Sequence, residues 1–202
     1  MTPYLLLLIA YLMGGIPFGY LLVRMTTGRD VRALGSGNIG ATNVLRTTSR
    51  GLGVLTLLLD VAKGWCAVWL MGRFTAEDAT WMSLAALAVL FGHAFPVFLR
   101  FQGGKAVASF IGAFLYLEPL PLFAVLLLFV AVVAATRFIS LGSICAAGSF
   151  PFAVWLISHP PLAVLAAALV SGGFVVYRHR TNIERLRAGT ESVFSFSKAG
   201  RK

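Results

Sequence analysis

The chain is short of charge, and above all of negative charge. Only 12% of its 202 residues are Asp, Glu, Lys or Arg; seven are acidic and 17 basic, while 58% of the chain is hydrophobic. Soluble chains carry roughly 25% charged and 45–50% apolar residues, so an ordinary soluble domain is excluded. Long polar stretches are also missing. The two longest, 24–51 and 178–202, hold 28 and 25 residues, below the roughly 40 at which a segment folds alone without metals or disulfides. No separate soluble catalytic domain fits, so any chemistry has to be built at a membrane surface. Cysteine is scarce too: Cys66 and Cys145 sit inside apolar runs, with neither disulfide nor zinc spacing. No carboxylate cluster or Cys/His set provides for a catalytic metal, so neither a metal nor a cofactor is expected. The apolar run beginning at Pro3 has no basic residue before it and no small-residue cleavage pattern after it. It reads as a retained span rather than a removed signal peptide.

What the chain does have is a succession of apolar runs. They predict an all-α integral membrane protein, one polytopic domain over 1–202, with about seven transmembrane helices near 3–23, 52–71, 79–99, 106–118, 120–136, 138–157 and 161–177. The first carries Gly14, Gly15 and Gly19 around Pro17, which permits close packing and a kink. The fourth is short, so it is either tilted against the fifth or re-entrant and covered by its neighbours. With the N-terminus outside, the inner segments 24–51, 100–105, 137 and 178–202 hold 5, 2, 1 and 7 basic residues, which is 15 of the 17. Basic residues resist translocation, so this asymmetry puts the C-terminus in the cytoplasm. The formal charge of +10 therefore reads as topology control and attraction to membrane lipids, with Arg187, Lys198, Arg201 and Lys202 as an anchor; no nucleic-acid partner is expected. Asp60 and Lys63 lie inside the second span, three apart on one helical face, where they can pair.

Three short polar segments fall on the inner side. In the first, GSGNIGATNVLR, the backbone at Gly35, Gly37 and Gly40 can converge on an anion. Ser36, Asn38, Thr42 and Asn43 add neutral donors there, and Arg46 adds a forked cation suited to phosphate. The string GSGNIG also matches the dinucleotide-binding pattern, but that fingerprint needs a preceding strand in a soluble sheet, so it is refused. The second segment, GHAFPVFLRFQGGK, places His93 in a span and ends on Gly103, Gly104 and Lys105. It departs from a nucleotide phosphate loop, since Leu99 stands where that motif needs glycine and Ala106 where it needs Ser or Thr. In the third, YRHRTNIERLRAGTE, His179 and Asn182 share a helical face at the membrane rim, and Glu191 closes the segment.

Together GSGNIGATNVLR, GHAFPVF followed by GGKAVAS, and HRTNIERLRAGTE resemble the three signature motifs of the bacterial acyl-phosphate:glycerol-3-phosphate acyltransferases, the PlsY family. The likeness covers essentially the whole chain, including the Asp60–Gly64 element. Family members often read FKGGKGVAT where this chain has FQGGKAVAS, so Gln102 removes a positive charge and Ala106 stiffens the turn. The resemblance implies transfer of a long-chain acyl group from acyl phosphate to the 1-position of glycerol 3-phosphate. Lysophosphatidic acid and phosphate would form at the cytoplasmic face of the bacterial inner membrane. Ser36, Arg46, Lys105, His179 and Asn182 are then the candidate catalytic residues. Gly35, Gly37, Asn38, Gly40, Thr42, Asn43, His93, Gly103, Gly104 and Glu191 are the candidates for holding substrate.

Acyl phosphate is already activated, which favours direct attack by the substrate hydroxyl over an acyl-enzyme. Either His179 accepts the proton, or it only orients and a substrate phosphate oxygen accepts it. The rival from another class is an organophosphate or anion transporter. That function calls for repeated halves and a polar path across the midplane, whereas here the polar motifs gather on one side.

Overall fold

The structure is a computed structural model and describes residues 2–194; the terminal Lys198, Arg201 and Lys202 lie outside the described residues. Ten α-helices and two short 3-10 turns make up the regular structure, and no strand occurs among the described residues. The GSGNIG string therefore has no sheet to follow. Helix α1 (Pro3–Gly15) and α2 (Phe18–Thr27) are one apolar run broken at Ile16-Pro17, because proline cannot donate to the turn before it. Helix α3 (Ala41–Thr47) is short. Helix α4 (Arg50–Thr75) starts where Ser49 Oγ accepts a hydrogen bond from Leu52 N at 3.2 Å. Helix α5 (Ala79–Ala94) is capped by Asp78, which accepts from Thr80 N and Trp81 N, each at 2.9 Å. Then follow α6 (Val107–Leu117), α7 (Pro119–Thr136), α8 (Ile139–Ile157), α9 (Leu162–Arg178) and α10 (Arg180–Arg187).

Each of the seven apolar runs read from the sequence is helical, but length divides them. Five segments are long and apolar enough to cross a membrane: Pro3–Thr27, Arg50–Thr75, Ala79–Leu99, Pro119–Thr136 and Ile139–Ile157. A sixth counts if α9 and α10, bent by 52°, form one broken span. Helix α6 has 11 residues, which at 1.5 Å per residue spans about 16 Å, roughly half a bilayer's hydrocarbon core.

That short helix sits at the centre of the packing. It lies so close to α4 that a Cβ on Gly112 would strike the Val61 carbonyl, and one on Gly64 the Ser109 carbonyl. On its other side Phe110 and Phe114 form a triangle with Phe150 of α8, with ring centroids 4.7–4.9 Å apart. The N-terminal residue before α6, Ala106, is buried and has φ 61°, a left-handed conformation that costs an alanine about 1–2 kcal/mol. A second, smaller core of Val23, Val31, Ile39, Val44 and Leu99 seats the loop between α2 and α3 against the loop before α6. Both loops are thus fixed on apolar anchors.

Candidate active site

One cavity of about 630 Å³ collects most of the candidate residues. Its polar lining comes from the loop before α3 and α3 itself, from Lys105, from the α9–α10 break and α10, and from Glu191 and Ser192, together with Asp60, His93, Ser140 and Ser143. Its apolar lining comes from Leu57 on α4, Phe110 and Ile111 on α6, Leu122, Val125 and Phe129 on α7, and Ala146 and Ala147 on α8. Gly35, Ser36, Asn38, Gly40, Thr42, Asn43, Arg46, His93, Lys105, His179, Asn182 and Glu191 all line it, while Gly37, Gly103 and Gly104 do not.

The first loop is knitted by Asn43. Its buried amide donates to the carbonyls of Asn38 (2.8 Å), Leu34 (3.0 Å) and Val31 (3.3 Å), and its Oδ1 accepts from Ser36 N at 3.0 Å. Asn43 therefore spends its hydrogen bonds on the loop itself. Asn38 Oδ1 likewise accepts from Gly40 N at 2.7 Å. What the segment offers to the cavity is the Ser36 and Thr42 hydroxyls and Asn38 Nδ2, none with a side-chain hydrogen bond among the described residues, and Arg46. The Arg46 guanidinium donates to Ser192 O at 3.2 Å, drawing the C-terminal segment across the opening.

The Gly103-Gly104 turn lies behind Lys105. Arg178, at the end of α9, donates from Nε and Nη2 to the Gly104 carbonyl (3.2 and 2.9 Å) and from Nη2 to that of Gly103 (3.1 Å). It also lies over the Phe95 ring, 5.1 Å from the centroid. From below, His93 O accepts from Gly104 N at 3.1 Å. A Cβ on Gly104 would overlap His93 Nε2, and one on Gly103 would overlap the His93 carbonyl. These glycines are required by close approach, since Gly104 keeps an ordinary φ. Beneath them Ser109 Oγ lies 3.3 Å from His93 Nδ1, and Asp60 Oδ1 lies 3.7 Å from it. Asp60 pairs with Lys63 at 2.7 Å, as their spacing allows, and Lys63 also donates to Ile16 O at 2.8 Å. Asp60 reaches the cavity floor as well.

The third segment converges on Glu191. Its carboxylate accepts from Asn182 Nδ2 (2.8 Å), Ser140 Oγ (2.9 Å) and Arg185 Nε (2.8 Å). Burial opposes the charge, but these three donors outweigh it and hold the carboxyl below its ordinary value. With its Nδ2 so held, Asn182 turns Oδ1 to Lys105 Nζ, which donates to it. Burial and the positive charges of Arg185, Arg178 and Arg46 push Lys105 down to about 8, with Glu191 opposing. Just past α9, His179 donates from Nδ1 to Val175 O at 2.8 Å, because a carbonyl can only accept. Nε2 is then left with its lone pair. Burial, and next to it the charges of Lys105 and Arg178, bring His179 down to about 4 despite the Val175 carbonyl.

Three contributors carry no signal that sequence reasoning used. Ser140 lies in an apolar run, Arg185 was one of several basic residues in the tail segment, and Arg178 read as part of that basic run. Their roles depend on neighbours 51, 6 and 74–75 positions away in the chain. Gln102, where the resemblance suggested altered phosphate affinity, does not line this cavity.

A helical membrane bundle with a cationic, hydrogen-bonding opening over an apolar cavity defines a protein suited to an amphiphile with a phosphate group. The sequence pattern of the family described as glycerol-3-phosphate acyltransferase matches residues 4–189. A protein of that name from Geotalea daltonii is 45% identical over 195 residues, covering 96% of this chain and 99% of that protein. One from Geobacter sulfurreducens is 46% identical over 194 residues, covering 96% and 98%. Among solved structures, the glycerol 3-phosphate form of PlsY, an integral membrane glycerol 3-phosphate acyltransferase, matches with TM-score 0.91 at 36% identity over 96% of both chains. Its lysophosphatidic acid form matches with TM-score 0.88 at 34% identity, over 96% of this chain and 95% of that one. This chain belongs to the glycerol-3-phosphate acyltransferase family and is an acyltransferase, which sets the transporter reading aside.

Proposed function

We propose that this protein acylates the 1-hydroxyl of glycerol 3-phosphate with a long-chain acyl phosphate, releasing lysophosphatidic acid and phosphate. The observation that carries this reading is the two-ended cavity. Ser36, Arg46, Lys105, Asn182 and Arg185 surround its polar end, and the apolar faces of α4, α6, α7 and α8 line the rest. A small dianion and an amphiphile can meet there without either being fully desolvated. The polar end draws on three of the predicted inner segments, 24–51, 100–105 and 178–202, which together hold 14 of the 17 basic residues. That supports a cytoplasmic opening in the bacterial inner membrane, an outer N-terminus and a seven-segment topology in which α6 reaches only part way.

In this mechanism Ser36 and Arg46 hold the acyl phosphate and stabilise charge gathering on its leaving oxygens. Lys105, kept in line by Asn182, binds the phosphate of glycerol 3-phosphate. The attacking hydroxyl has two proton acceptors to choose between. His179 Nε2 is free but its conjugate acid titrates at about 4, while a phosphate monoester dianion takes its proton near 6. Burial weakens His179 as a base, which favours the route in which it orients the hydroxyl and a substrate phosphate oxygen takes the proton. Glu191 and Arg178 act one step removed: Glu191 holds Asn182 and Arg185, and Arg178 holds the turn that carries Lys105.

The test supplies purified protein with labelled glycerol 3-phosphate and, in parallel, palmitoyl phosphate, palmitoyl-CoA or palmitoyl-acyl carrier protein, without added metal. Lysophosphatidic acid from palmitoyl phosphate alone is expected. Product mainly from the thioesters would overturn the donor, and none from any donor in folded protein would overturn the reaction. Arg178→Met should raise KM for glycerol 3-phosphate roughly tenfold with a smaller change in kcat, since it loses charge-assisted bonds to the turn and no contact to reacting atoms. Equal losses in kcat and kcat/KM, with KM unchanged, would assign Arg178 to the reacting atoms instead.

A further inference from the structure

On the other side of the 97–105 loop is a depression of about 400 Å³ lined by Tyr20, Arg32, Phe98, Leu99, Arg100 and Gln102. No acidic side chain lines it. The Arg32 guanidinium lies over the Tyr20 ring, 5.1 Å from the centroid, and Asp30 grips its Nε and Nη2, leaving Nη1 free. Arg100, Gln102 and the Tyr20 hydroxyl make no side-chain hydrogen bond among the described residues. Unbonded donors and two guanidinium groups, one of them paired with Asp30, thus line one hollow, a set that phosphate oxygens can satisfy.

The hollow is also preformed. Arg100 and Phe101 adopt φ 52° and 62° in succession, conformations that cost non-glycine residues free energy and persist only where the surroundings impose them. Here Arg100 N donates to Val97 O (3.2 Å), Phe101 N to Pro96 O (2.9 Å) and Gln102 N to Leu99 O (3.1 Å), while buried Leu99 anchors the loop in the smaller core. Beside it large apolar side chains stand exposed: Phe98 at 59%, Phe101 at 58% and Val97 at 44%. Exposed aromatic groups next to cations are what a bilayer interface accommodates, rings among the upper acyl chains and charges at headgroup level.

We propose that this depression is a second anion site that takes the phosphate headgroup of an anionic membrane lipid, separate from the catalytic cavity. The two hollows share one loop, with Gln102 facing this site and Lys105 facing the other. The enzyme is thereby held by lipid at the rim where its amphiphilic substrate arrives.

Native mass spectrometry of the detergent-solubilised protein titrated with dioleoyl phosphatidylglycerol or dioleoyl phosphatidylcholine tests this. Wild type should retain one phosphatidylglycerol in preference to phosphatidylcholine. Arg100→Asn, in which asparagine tolerates the left-handed backbone, should weaken that retention about tenfold. Lys105→Met, which disarms the main cavity, should leave it unchanged. Gln102→Glu, at an exposed position, should weaken it as well and serves as the variant should Arg100→Asn fail to fold. Equal retention of both lipids, or undiminished retention in the folded variants, would overturn the site. Displacement of the lipid by inorganic phosphate at concentrations that saturate the main cavity would assign it to free phosphate instead.

Discussion

Lys105→Met should lower kcat/KM for glycerol 3-phosphate by roughly 10²–10³, the scale of losing one preorganised donor to a charge-bearing oxygen in a water-poor site. Methionine keeps most of the stem volume, so the effect reads charge rather than packing. The pH profile sharpens the expectation. Lys105 titrates at about 8 in the free protein because burial and its arginine neighbours disfavour the charge. It is charged below that pH and neutral above it, so kcat/KM should fall as pH rises through about 8. A bound phosphate dianion favours the ammonium, so the break in kcat should come at higher pH. Lys105→Arg, always charged, should lose the alkaline limb. His179, at about 4, stays neutral through the working range and should add no limb between pH 5 and 8. Lys105→Met with activity within threefold of wild type, or an alkaline limb that survives Lys105→Arg, would remove Lys105 from the phosphate site.

Gly104→Ala should cost about 10²-fold in kcat/KM although a single methyl group is added and no charge changes. Its Cβ would overlap His93 Nε2 and come within 3.1 Å of Cδ2 and 3.3 Å of Cε1. Neither side can yield easily: Arg178 clamps the turn from above, and His93 is wedged beside Asp60 and Ser109. The turn must shift, carrying Lys105 with it, and a displacement of about 1 Å in a positioning group is enough for a loss of this size. Because the cause is overlap, removing the imidazole should relieve it. The double variant Gly104→Ala/His93→Ala is expected to recover activity relative to Gly104→Ala alone, measured against His93→Ala. Strict additivity of the two losses would refute the steric account.

The two effects differ in how local their causes are along the chain. Lys105 follows a Gly-Gly pair, and the expectation of a cation for phosphate there can be read from residue type and order. The reason Gly104 must be glycine cannot, because the group it avoids belongs to a side chain 11 positions earlier. Gly35 and Gly37, by contrast, adopt φ 54° and 70°, a local demand that a glycine-rich loop announces. Asn43, a polar residue in a phosphate-like motif, lines the cavity, and the fold also uses its amide to close the loop.

The sequence by itself determined the membrane class, the helical run of each apolar segment and the resemblance of the polar motifs to one family. These follow from hydropathy and residue order, both local or additive along the chain. Only the tertiary structure decided which polar groups face the cavity and which support them. Glu191, which lines the cavity, also holds Asn182, Arg185 and Ser140 in place. Arg178 proved to clamp a turn more than 70 residues before it. Helix α6, already a short run in the sequence, is 11 residues long, bounded by the left-handed Ala106 at one end and Pro119 just beyond the other. Such partnerships depend on which helices pack together, and a buried polar group takes the nearest partner in space rather than in sequence.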